Sequence, residues 1–102
     1  MSRVDMATAA EFRHGDAHIY RHIAGEHLLV SLKRTNVDPL FALSATGAVL
    51  WDALDEWRTP AALVDGLLAR FEVAPADAAT DVNAFLRQLE EIGALERRER
   101  AS

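Results

Sequence analysis

The stretch Leu40 to Trp57, LFALSATGAVLWDALDEW, decides how the rest of the chain folds. Leu40, Phe41, Ala42 and Leu43 form an apolar run too short for a helix and long enough for a strand. Ser44 follows where an N-cap belongs. From Val49 onward, Leu50, Ala53, Leu54 and Trp57 recur at helical spacing, so a helix opens directly off the strand. On such a helix Trp51 and Trp57 would point about 120° apart, and Trp51 is the better core candidate.

Upstream, His18, Tyr20 and His22 alternate with Ile19, Arg21 and Ile23, the period of a strand. After Ala24-Gly25-Glu26 a second run extends from His27 through Leu32, and the short glycine-containing link makes the two an antiparallel hairpin. Lys33 to Asp38 is polar and reads as a turn. Pro39 cannot donate a ladder hydrogen bond, so the third strand, Leu40 to Leu43, starts just after it.

Downstream the chain is helical. Thr59 supplies a capping hydroxyl ahead of Pro60, and Leu63, Val64, Leu67, Leu68 and Phe71 keep one apolar face, so a second helix is expected from Pro60 to about Phe71. Pro75 opens a third, in which Ala78, Val82, Phe85, Leu86, Leu89 and Ile92 recur at threes and fours until Gly93 stops it as a C′ residue. Ala94 to Glu96 either add a short strand or merely pack. The expected fold is α+β: a three-stranded antiparallel meander followed by three helices. Residues 1–16 read as a loose arm, 17–96 as the folded domain and 97–102 as a polar tail.

The chain has 102 residues, half of them apolar, enough for one domain with a core of its own. It contains no cysteine, which removes disulfides and thiolate zinc sites and suits a reducing cytoplasm. Its apolar runs fall far short of the roughly 20 residues of a membrane span, and Arg3 and Asp5 interrupt any signal-peptide segment, so a soluble cytoplasmic protein is expected. The net charge of −5 opposes generic nucleic-acid binding, which rests on cations meeting phosphates.

Nothing in the residue pattern points to catalysis. His14, His18, His22 and His27 invite a metal reading. His18 and His22 would share one strand face, but no carboxylate or thiolate stands at a recognised ligand spacing, and exposed imidazoles on a solvated strand explain them. Ser31 and Ser44 lack a nucleophile motif, and the acids Asp52, Asp55, Glu56, Glu90 and Glu91 sit on helix flanks where charge confers solubility. The glycines form no phosphate-cradling loop. No cofactor and no metal are expected.

One resemblance covers about His18 to Leu95. Leu43-Ser44-Ala45-Thr46-Gly47-Ala48-Val49-Leu50-Trp51, then Leu54-Asp55, Arg58-Thr59, Leu63-Val64, Asp81-Val82, Phe85-Leu86, Leu89 and Gly93-Ala94-Leu95 together resemble the PqqD-like family, also called RiPP recognition elements. Ser44 stands where that family usually shows asparagine, an exchange of two good caps, and Glu56-Trp57 replace the usual glycine after Asp55. The resemblance implies a fold related to winged helix-turn-helix domains. It also implies a non-catalytic function: holding a precursor leader peptide for a separate modifying enzyme, such as a protease, cyclase or radical enzyme, in making a ribosomal peptide product such as a lasso peptide.

The resemblance further implies that the leader adds as an antiparallel strand to Leu40, Phe41, Ala42 and Leu43, in the groove against the third helix. A meander leaves the edge of its third strand open, a template for another chain. With Val82 at the centre of the buried helical face, Asp81, Phe85 and Gln88 fall on one boundary and Ala79, Asn83 and Glu90 on the other. The first boundary is expected to line the groove. Phe85 would give apolar area, and Asp81 would pair with a basic or amide group. The alternative is a winged helix DNA-binding regulator. Against it, the third helix carries Arg87 but also Asp77, Asp81, Glu90 and Glu91. A homodimer through the same strand edge is a further possibility.

Overall fold

The computed structural model describes residues 10–32 and 40–99. The expected turn from Lys33 to Asp38, Pro39, and residues 1–9 and 100–102 lie outside the described residues. In chain order the elements are β1 (Ala10–His14), β2 (His18–Ile23), β3 (Glu26–Ser31), β4 (Leu40–Leu43), α1 (Ala45–Ala53), α2 (Pro60–Arg70), α3 (Pro75–Glu91) and β5 (Leu95–Glu99). The expected α+β plan of a three-stranded antiparallel sheet, ordered β2-β3-β4, followed by three helices is present. A second, two-stranded sheet pairs β1 with β5.

Local chemistry accounts for most boundaries. The β2–β3 hairpin closes on Ala24 and Gly25, both at positive φ (51° and 80°), as a two-residue turn matched to strand twist requires. Ser44 Oγ accepts from the Gly47 N–H at 3.0 Å and opens α1, and Thr59 Oγ1 accepts from the Ala62 N–H at 3.1 Å and opens α2. Gly93, at φ 74°, ends α3: its N–H donates to Glu90 O and that of Ala94 to Leu89 O, which satisfies two otherwise orphaned carbonyls.

Residues 10–14 are not part of a loose arm, and residues 97–99 are not a free tail. They pair in register from Ala10 opposite Glu99 to His14 opposite Leu95. Ala10 and Phe12 are buried at alternate positions, so β1 supplies core area, and the burial holds the ribbon in place. Phe12 and Arg58 also exchange two backbone hydrogen bonds of 2.8 Å each. This claim on the backbone explains why α1 stops at Ala53 and does not continue to Trp57. The Arg58 side chain donates to Ala53 O at 2.9 Å, covering a helix-end carbonyl. Trp57, freed from helical phase, has the guanidinium groups of Arg13 (4.8 Å) and Arg98 (4.3 Å) over its ring.

The core runs through Leu29, Leu50, Leu54, Leu63, Leu67, Val82, Leu86 and Leu89, joining sheet and helices. Trp51 belongs to it, as expected. On the core side of the sheet Tyr20, Leu29 and Phe41 stand in one cross-strand row. His18 and His22 do share that face, yet His18 is only 8% exposed, because its end of β2 is covered while His22 near the turn is open. The expectation of exposed imidazoles thus fails for His18. Among the described residues no group of three or more ligating side chains is placed to hold a metal ion. No helix among them is long and apolar enough to cross a membrane.

Candidate functional site

β4 is paired on one side by β3, with Leu43 opposite His27 and Leu40 opposite Val30, and no strand among the described residues pairs its other side. In an antiparallel ladder alternate residues turn both N–H and C=O to the same neighbour, so two of the four β4 residues direct theirs away from β3. Among the described residues that edge is a short, unpaired row of donors and acceptors.

Where β4 ends, the chain enters α1 at once, and α3 runs alongside. Between them lies a groove of about 240 Å³ lined by Ser44, Thr46, Gly47 and Leu50 from the strand–helix junction and by Asp81, Ala84, Phe85 and Gln88 from α3. Gly47 sets how closely the walls approach. A Cβ there would meet Phe85 Cε1 at 3.3 Å, Ser44 Oγ at 3.4 Å and Leu43 Cβ at 3.6 Å. Phe85, 6% exposed, forms apolar floor with Leu50, while Asp81 and Gln88 stand exposed on the rim. Asp81 is the charged group of this lining.

The residues expected from sequence are therefore divided. Asp81, Phe85 and Gln88 come together on the α3 wall, and Leu43 lies beside Gly47 on the facing α1 wall. Leu40, Phe41 and Ala42 lead away from the groove along the strand. Phe41 is half-buried toward the core; Leu40, 57% exposed, and Ala42 face outward. What these three share with the groove is the backbone edge. The α1 wall, Ser44, Thr46, Gly47 and Leu50, was not among the expected site residues. Its signal was Gly47 itself, since a glycine inside a helix costs about 1 kcal/mol against alanine and asks for a packing reason.

On the other flank of α1 a wider hollow of about 440 Å³ lies under the sheet, lined by Tyr20, His27, Val49, Trp51, Arg70 and Phe71 among others. Tyr20 Oη and His27 Nδ1 share a 2.6 Å hydrogen bond there. Neither this hollow nor the groove is lined by a β4 residue, but the groove includes Ser44, the residue that follows β4, and the hollow does not.

The family model described as coenzyme PQQ synthesis protein D (PqqD) matches residues 26–95, from the start of β3 to the start of β5. Among solved structures, TbiB1 in complex with the TbiA(beta) leader peptide is similar at 31% identity and a TM-score of 0.68, over 82% of this chain and 94% of that one. A lasso peptide synthetase B1 complexed with the leader peptide shares the fold at 22% identity and a TM-score of 0.69, over 83% and 96%. No curated protein sequence matches the chain. With strand edge, junction and third helix all inside the matched span, the chain belongs to the PqqD family.

Proposed function

We propose that this chain recognises the leader of a precursor peptide and presents it to a separate modifying enzyme in the biosynthesis of a ribosomal peptide product, with no catalysis of its own. The observation that carries the reading is the edge of β4, unpaired among the described residues, which ends at Ser44, where the groove between α1 and α3 begins. The leader adds antiparallel to Leu40–Leu43, its side chains alternating between the groove side and the outer face of the sheet. Support comes from the 31% identical relative, which is in complex with a leader peptide. The chain of the guest then continues past Leu40, where the modifying enzyme must reach it.

The energetics suit reversible capture. About four main-chain bonds at about 1 kcal/mol net, with two or three guest side chains at about 1.5–3 kcal/mol, give a gross gain of roughly 7–13 kcal/mol. Ordering the guest takes back about 2–5 kcal/mol and lost rigid-body freedom takes more, so micromolar affinity is near the tight end. A second copy pairing along the same edge would compete with the guest. DNA reading by α3 is disfavoured: its exposed acids Asp77, Asp81, Glu90 and Glu91 outnumber its cation, Arg87.

The test is titration of the chain with the labelled leader of a precursor encoded beside its gene. Saturable binding at micromolar concentrations is expected, weakened by salt no more than one exposed ion pair would be. No binding at tens of micromolar by a chain that is folded by circular dichroism would contradict the reading.

A further inference from the structure

The acids on one flank of α3, together with the direction of β4, assign an order to the guest's own residues. This inference rests on the carrier reading above, in which the guest lies antiparallel to β4. β4 runs from Leu40 to Leu43, and the groove begins at the next residue, Ser44. An antiparallel guest therefore enters beside Leu43, over the groove, and leaves beside Leu40. Its N-terminal half meets the groove, and its C-terminal half meets the open end of the sheet.

The two ends differ in chemistry. At the groove, Asp81 stands on the rim with no cation in the lining, and Asp77, four residues earlier and exposed, lies on the same flank of α3. The floor below is apolar, from Leu50 and Phe85, with Ala84 exposed beside it. A side chain with a long apolar stem and a cationic head fits both, its stem on the floor and its head at the rim. At the other end Ile19 opposes Val30 and Val30 opposes Leu40, an apolar row on the outer face that stops at Leu40 with its side chain 57% exposed. A guest residue beside Leu40 on that face extends the row, where an aliphatic or aromatic side chain gains a cross-strand neighbour.

We infer that the recognised segment carries a lysine or arginine in its N-terminal half and, about three or more residues later, an apolar residue beside Leu40. The ligand class is thus a short extended peptide, basic first and apolar second.

Selection from a displayed library of random peptides on the immobilised full chain tests the order without the natural guest. The enriched sequences should place a basic residue before an apolar one. A synthetic peptide of the enriched sequence should bind, and its version with the two positions exchanged should bind about threefold to tenfold more weakly. Asp81→Lys should reverse the preference, so that the peptide with glutamate in place of the basic residue binds better than the original. Enriched peptides with the basic residue after the apolar one, or with no charge preference altered by Asp81→Lys, would overturn this order and leave the carrier reading standing. A folded chain that enriches no peptide would overturn both.

Discussion

Gly47 and Phe85 meet across the groove so closely that a Cβ on Gly47 would stand 3.3 Å from Phe85 Cε1. The helix-disfavouring residue is where two walls of the site approach, which ties a local conformational cost to the shape of the surface.

Gly47→Ala should therefore separate stability from binding. The helical gain of about 1 kcal/mol is offset by the displacement of Phe85, so the unfolding free energy should change by about 1 kcal/mol or less, while leader affinity falls. Denaturation and anisotropy titration on the same samples check this. Unchanged affinity would mean that the groove is not part of the site.

Asp81→Asn and Gln88→Ala alter exposed rim groups and should leave stability within about 0.5 kcal/mol of the parent. Leader affinity should fall by a factor of about three to ten for Asp81→Asn, with a smaller salt dependence than the parent. Titrations at two salt concentrations read both effects.

Trp57→Ala removes an indole contacted by Arg13 and Arg98, which themselves pair with Glu96 and Glu11 at 2.8 Å each. Those ion pairs are partly exposed and contribute little individually, so the indole is the larger loss. A destabilisation of about 1–3 kcal/mol is expected, measured by urea denaturation, against which Trp57→Phe should recover part.

Ala24 holds φ 51° in the β2–β3 turn, a conformation that disfavours an L side chain by roughly 1–2 kcal/mol. Ala24→Asn, with Gly25 retained, should raise stability by up to about 1 kcal/mol, read as a higher melting temperature.

The contrast between these sites shows what the residue pattern could reveal. Ser44, Thr59-Pro60 and Gly93 act on backbone groups within a few residues of themselves, so the starts of α1 and α2 and the end of α3 were legible. Helical phase alone grouped Asp81, Phe85 and Gln88 on one flank of α3 and Ala79, Asn83 and Glu90 on the other, and did not choose between them. The β1–β5 ribbon was not legible: β1 is five residues long, its partner begins at Leu95, and the charged run of β5 resembles a solvated tail. Only the burial of Ala10 and Phe12 against a core built from the rest of the chain makes that pairing favourable. The end of α1 failed for the same reason, since Arg58 is drawn out of helix by Phe12, which is distant in sequence.

The most direct test of the carrier account is amide hydrogen exchange across Leu40–Leu43 with and without the leader peptide. In the free chain the two outward-facing amides of β4 should exchange quickly, and saturating peptide should protect both, with protection also at Ser44 to Gly47. Tight binding that leaves the exchange of Leu40–Leu43 unchanged would contradict the account, because the guest would then be held somewhere other than the open strand.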